Sequence, residues 1–206
     1  MIAAKAMKRN RFGFYMQQEG SGALWFDDVP EKYWIGGQAA LVQHKIFNQP
    51  AAYWSVKLID IKIGDKALNL CPIATGCKLA VDSGTSLLTA PSESATKILL
   101  EMNLNQDCSN FNAVKDLVFV IEATDANGKT FNKDYPMTKD DYVLEENGRT
   151  SCSPGISSLD VPAPNGPVYI VGDMFMQKYF SIFDRDAEAV FMAPAAHMVR
   201  DQFIVI

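Results

Sequence analysis

Apolar residues along this chain come in short runs rich in β-branched and aromatic side chains, and turn residues separate them. That texture predicts strands rather than long helices. Phe12–Tyr15 and Ala23–Phe26 flank Glu19-Gly20-Ser21-Gly22 and read as a hairpin. Tyr53–Ile63 is a longer run whose apolar parity slips, from Trp54, Val56 and Leu58 to Ile59, Ile61 and Ile63. A bulge, or a strand bending between two layers, produces such a slip. Gly64-Asp65 turns the chain into Ala67–Leu70, and Lys78–Val81 is a strand that stops at Asp82-Ser83-Gly84. Ser92 is placed to cap a helix with Ala95, Ile98, Leu99 and Met102 on its apolar face. Leu117–Ala123 and Thr130-Phe131 flank Asn127-Gly128, a strong hairpin signal. Val161–Pro167, with three prolines, is an extended surface loop. Val168–Val171 reads as a buried strand ending at Gly172, with Asp173 placed to cap a helical turn. Phe180–Phe183 and Val190–Ala193 form a last hairpin around Asp184-Arg185-Asp186. The expectation is a mainly β fold with two short helices.

Length and composition change this picture little. The 206 residues suit one domain, 48% of them are apolar, and 21% are charged. The net charge of −5 argues against a nucleic-acid partner, which calls for a basic patch. Lys5, Lys8, Arg9 and Arg11 make a small basic knot, read as a solvated face. No run of eighteen apolar residues predicts a membrane span. The apolar stretch within Met1–Arg11 is too short for a secretory signal, so a secreted form would carry its signal upstream. Cys71, Cys77, Cys108 and Cys152 are an even set with one close pair, which fits two disulfides or four free thiols. Their spacing is not CxxC, and neither His44 nor His197 sits near them, so zinc is disfavoured.

Candidate chemistry centres on Leu79-Ala80-Val81-Asp82-Ser83-Gly84-Thr85-Ser86. An apolar strand delivers a carboxylate into a turn. Gly84 permits close backbone approach, and three hydroxyls are at hand to orient the carboxylate. Four letters alone describe an ordinary Asx-turn. The longer string Val81-Asp82-Ser83-Gly84-Thr85-Ser86-Leu87-Leu88-Thr89-Ala90-Pro91 resembles the second active-site motif of pepsin-like aspartic proteases. Other segments match in order: Tyr53-Trp54-Ser55-Val56 upstream, Ile170-Val171-Gly172-Asp173 downstream, and then Phe175 and Tyr179–Asp184.

The resemblance implies the C-terminal lobe of that bilobal fold. The lobe would span residues 12–196, after an extension or inter-lobe segment at 1–11 and before a tail at 197–206. It implies disulfides Cys71–Cys77 and Cys108–Cys152. It makes Asp82 catalytic. Ser83 would grip the opposite lobe, and Thr85 would bond the outer carboxylate oxygen. Gly84, Thr85, Ser86 and Thr89 would meet the substrate backbone, the alternative for Ser86 and Thr89 being a local turn bond. Ile170, Val171 and Gly172 would pack on the Asp loop in a ψ shape. No metal or cofactor is implied. Expected partners are peptide or protein substrates, the other lobe, and pepstatin-type inhibitors when both lobes are present. The expected location is the secretory pathway, a vesicular or lysosome-like compartment, or the extracellular space.

The chain departs from the family pattern in several places. No second Asp-Thr/Ser-Gly is present, so the partner carboxylate of the catalytic dyad is missing. Asp27-Asp28 stands where the family has paired glycines, and Ala80 is smaller than the usual branched residue, which predicts a roomier primed-side subsite. Phe203-Ile204-Val205-Ile206 extends an apolar tail past the usual end. Three readings follow: one half of an endopeptidase, inactive alone; a homodimer using two copies of Asp82 and associating through the exposed lobe interface; or a non-catalytic peptide-binding module.

Overall fold

The structure is a computed structural model. It describes residues 7–17, 22–47, 53–146, 148, 150–199 and 202–204. The chain opens with β1 (Arg11–Tyr15) and β2 (Ala23–Phe26), paired antiparallel as expected. The expected turn at residues 19–22 lies mostly outside the described residues, as do Lys5, Val205 and Ile206. Asp27 follows β2 in a left-handed conformation, with φ of 68°. Its carboxylate accepts the backbone N–H groups of Lys8 and Arg9 at 2.9 and 3.0 Å. The N–H of Asn10 donates to Asp186 at 2.9 Å, so two carboxylates grip three successive amides of the entering strand. Arg9 and Arg11 of the basic knot pair with Asp28.

β3 (Val42–Lys45) precedes the long β4 (Ser55–Ile63). The register of β4 shifts between Leu58 and Asp60, as the parity slip predicts. Val56 and Leu58 are buried before the shift, and Ile61 and Ile63 after it. Each such side chain contributes about 1.5–3 kcal/mol by leaving water. The chain turns through Gly64 into the short β5 (Lys66–Ala67) and then reaches β6 (Cys77–Val81) and β7 (Leu88–Ala90).

Helix α1 (Ser92–Met102) buries Ala95, Ile98 and Met102, whereas Leu99 is 37% exposed. Ser92 is the first helical residue, not the cap. Its N–H and O–H both donate to Asp160, at 2.9 and 2.6 Å, so a carboxylate from a distant loop serves the helix start. β8 (Leu117–Thr124) and β9 (Thr130–Met137) form the expected hairpin around Asn127-Gly128.

A further one-turn helix, α2 (Lys139–Tyr142), was not expected; it begins with a capping box between Thr138 and Asp141. β10 (Val143–Glu146) pairs β11 (Ser151–Pro154), and β12 (Ile156–Ser158) follows. β13 (Val168–Val171) leads into α3 (Asp173–Lys178), then β14 (Tyr179–Asp184) and β15 (Ala189–Pro194) close the expected hairpin. The backbone of the tail folds into a hairpin of β16 (His197–Val199) and β17 (Gln202–Ile204).

Among the described residues, thirteen strands join one sheet, in the order β12-β7-β13-β6-β4-β8-β3-β15-β14-β1-β2, with β5 on β4 and β9 on β8. The main core lies between α1, α3 and the inner faces of β4, β6 and β8. A second cluster, around Tyr15, Tyr33, Trp34 and Phe180, fills the other face of β1 and β14. The disulfides Cys71–Cys77 and Cys108–Cys152 are both formed, and no described cysteine is free. Among the described residues, no helix is long and apolar enough to cross a membrane.

Candidate active site

Asp82 stands directly after β6, where the strand leaves the sheet. Three strands converge there. β13 runs parallel to β6, pairing Val171 with Val81, and antiparallel to β7, pairing Val171 with Leu88. The loop 82–87 therefore leaves β6, arches over the end of β13, and returns on its far side as β7, which makes the expected ψ shape.

Gly172 makes that crossing possible. Its φ of −100° is open to any residue, so space is the constraint. A Cβ there would lie 1.8 Å from the Thr85 carbonyl oxygen and 2.8 Å from that of Leu87. The close approach allows the N–H of Asp173 to donate to Thr85 O at 2.8 Å, and that of Asp82 to donate to Val171 O at 3.1 Å. The N–H of Val81 donates to Trp54 O at 3.0 Å, tying the Tyr-Trp segment to the same strand.

Both carboxylate oxygens of Asp82 are held. Oδ1 accepts the Gly84 N–H at 3.0 Å, and Oδ2 accepts the Thr85 hydroxyl at 2.7 Å. Asp82 and Thr85 are half-buried, while Ser83, Gly84 and Ser86 are exposed around them. The result is a carboxylate fixed in orientation yet open to an approaching group.

Thr89 lies deeper. It is 6% exposed, and its hydroxyl bonds that of Ser157 on β12 at 2.8 Å, across a parallel strand pair. Ile170 and Val171 are buried in β13. Ala80 is 2% exposed and packs with Val168, Ile170 and Val161. Val161, which packs against this group, opens the proline-rich segment.

Asp173, expected to cap the turn, is instead the first residue of α3, and Gly172 holds the cap position. It caps nothing with its side chain, and its Oδ1 is buried without a hydrogen-bond partner among the described residues. Burial, and then the negative charge of Asp82, hold its carboxyl above the ordinary range.

Residues 1–195 match the family model described as eukaryotic aspartyl protease. The chain belongs to that family. Similar proteins include plasmepsin VI of Plasmodium berghei (strain Anka), 36% identical over 93% of this chain and 43% of its own length. Cathepsin D of Chionodraco hamatus is 31% identical over 95% of this chain and 48% of its own. Cathepsin E of Oryctolagus cuniculus is 32% identical over the same shares. The chain thus spans about half the length of the curated relatives it matches. One lobe of the pepsin-like fold accounts for that proportion and for the mostly β architecture.

Proposed function

We propose that this chain is the C-terminal half of an aspartic endopeptidase and contributes one carboxylate, Asp82, to a catalytic pair. The observation that carries the reading is the grip on both Asp82 oxygens at the mouth of the ψ loop. Two carboxyls brought close together cannot both ionise cheaply, so they share a proton, an effect for which pepsin itself is the general example. The ionised member takes a proton from a water, which attacks the peptide carbonyl; the protonated member donates to the carbonyl oxygen. Neither a covalent intermediate nor a metal enters this scheme.

In this reading Ser83, exposed beside Asp82, bonds the opposite lobe, while Gly84, Thr85 and Ser86 meet the substrate backbone. Ile170, Val171 and Gly172 hold the loop. The buried hydroxyl of Thr89 favours a supporting role through Ser157 over a substrate contact. Residues 12–196 form the lobe, with 1–11 entering it and 197–206 as a tail; the family match ends at residue 195, just before that tail, but includes residues 1–11. The partners are peptides or proteins and a complementary lobe bearing the second aspartate, and pepstatin-type inhibitors bind only to the pair. Two disulfides support passage through an oxidising secretory, vesicular or extracellular compartment.

The test is reconstitution. The purified chain alone is expected to leave a peptide substrate intact. Mixing it with a separately expressed lobe that carries Asp-Thr-Gly should restore pepstatin-sensitive cleavage, and Asp82→Ala should abolish it. Cleavage by the chain alone that rises with the square of concentration, together with a dimer in light scattering, would replace this reading with the homodimer. Cleavage that survives Asp82→Ala would sink both.

A further inference from the structure

We propose that His44 is an acid-sensitive lock, which holds β3, β8 and β9 together while its ring is neutral and loosens them when the ring takes a proton. His44 lies in β3 with no solvent exposure. Both ring nitrogens are engaged: Nδ1 is 2.8 Å from the Glu122 carbonyl of β8, and Nε2 is 2.6 Å from the Tyr135 hydroxyl of β9. A carbonyl oxygen can only accept, so Nδ1 carries the ring proton, and Nε2 accepts the Tyr135 O–H. One imidazole therefore cross-links three strands, and Tyr135 is itself 1% exposed.

Acid reverses the last of these bonds. A proton on Nε2 points at the Tyr135 oxygen, and the Tyr135 O–H has no second acceptor among the described residues. The structure then holds either two donors face to face or an orphaned buried hydroxyl next to a buried cation, and both are costly.

The surroundings offer the cation no relief. From β9, Lys133 contributes a like charge. From β8, the Glu122 carboxylate is taken by Lys57 of β4 at 3.0 Å. From β15, the residue opposite His44 is Val190. Behind Tyr135 stand the rings of Phe175 and Tyr179, at 5.8 and 4.9 Å. No carboxylate among the described residues bonds the ring. Burial lowers the His44 pKa, the Glu122 carbonyl opposes that, and Lys133 adds to it, leaving the imidazole at about 4.

The sign follows from proton linkage. The folded state refuses a proton that the unfolded chain accepts below about 6.5, so stability is full above that pH, falls between 6.5 and 4, and levels off below. Phe175, whose ring meets Tyr135, belongs to α3, so the loosened corner includes one contact of that helix. The inference does not depend on the proposed proteolytic role.

Equilibrium urea unfolding of the full 206-residue chain and of His44→Gln at pH 7 and pH 4 tests it. Gln can donate to Glu122 and accept from Tyr135 without titrating. Between the two pH values, the wild-type folding constant should fall by a factor on the order of 100 more than that of the variant. Equal losses in both would overturn the proposal. Should His44→Gln fail to fold, ring resonances of the wild-type chain decide, because His44 and His197 are its only imidazoles. The His44 ring is expected to stay neutral and Nδ1-protonated down to about pH 4; a midpoint close to 6.5 would refute the lock.

Discussion

Gly172→Ala is the sharpest test of how the site is built. The added Cβ would lie 1.8 Å from the Thr85 carbonyl oxygen and 2.6 Å from its carbon, both of them backbone atoms that no rotamer change can clear. A carbon and a carbonyl oxygen rest no closer than about 3.3 Å, so the end of β13 and the loop 82–87 must part by roughly 1.5 Å. Three backbone hydrogen bonds span that seam: Asp173 to Thr85 at 2.8 Å, Asp82 to Val171 at 3.1 Å, and Met174 to Ser86 at 3.3 Å. At about 1 kcal/mol each, their loss costs roughly 3 kcal/mol, a large share of the stability of a typical domain. Urea unfolding followed by tryptophan fluorescence measures the cost. Gly128→Ala is the control: its Cβ meets nothing within 4 Å, and only its left-handed φ of 81° is strained, at about 1–2 kcal/mol. A Gly172→Ala chain no less stable than Gly128→Ala would refute the steric account of the ψ crossing.

Asp173→Asn should act in a pH-dependent direction. The folded carboxyl is raised above its ordinary 3.8 by burial and then by Asp82, so the fold resists ionisation and loses stability as pH rises through the raised value. The variant should therefore melt higher than wild type at pH 7 and match it at pH 3; an equal gap at both pH values would contradict this. Replacing Cys108 and Cys152 by Ser opens a loop with a sequence separation of 44, against 6 for Cys71 and Cys77. Loop-closure entropy puts these losses at about 4 and 2 kcal/mol. Denaturant midpoints in which the shorter loop mattered more would point to native-state packing instead.

Wherever the deciding interaction is local, the sequence announces it. The parity slip at Leu58 and Ile59 marks the register shift in β4, because side chains alternate strictly along a strand. Asn127-Gly128 marks its hairpin for a similar reason. The apolar strand feeding Asp82-Ser83-Gly84-Thr85 foretells a gripped carboxylate, since both donors, Gly84 and Thr85, lie within three residues of it. Long-range pairings leave no such trace. Ser92 looks like a helix cap, yet its hydroxyl is drawn to Asp160, 68 positions away. The bond between the Thr89 hydroxyl and that of Ser157, on a parallel neighbour 68 positions away, likewise gives no sign in the sequence. Asp173 gave no sign of being an unpartnered acid, because its burial depends on where α3 comes to rest. Helix α2 had a readable signal in the Thr138 and Asp141 spacing of a capping box, and reading the segment only for apolar period hid it.

The grip on residues 8–10 has a mechanical consequence. Asp27 belongs to the segment after β2 and Asp186 to the β14–β15 turn, so two separate hairpins hold adjacent amides of the entering chain. Tension applied upstream of Lys8 is shared between them and loads β1 in shear along its length, pressing on its pairings with β2 and β14 at once. A strand pulled that way yields all together, whereas one peeled from a free end yields one bond at a time. The points that take the tension are carboxylates at the surface, so salt should lower the force at which the strand slips while leaving the apolar core beneath it unchanged.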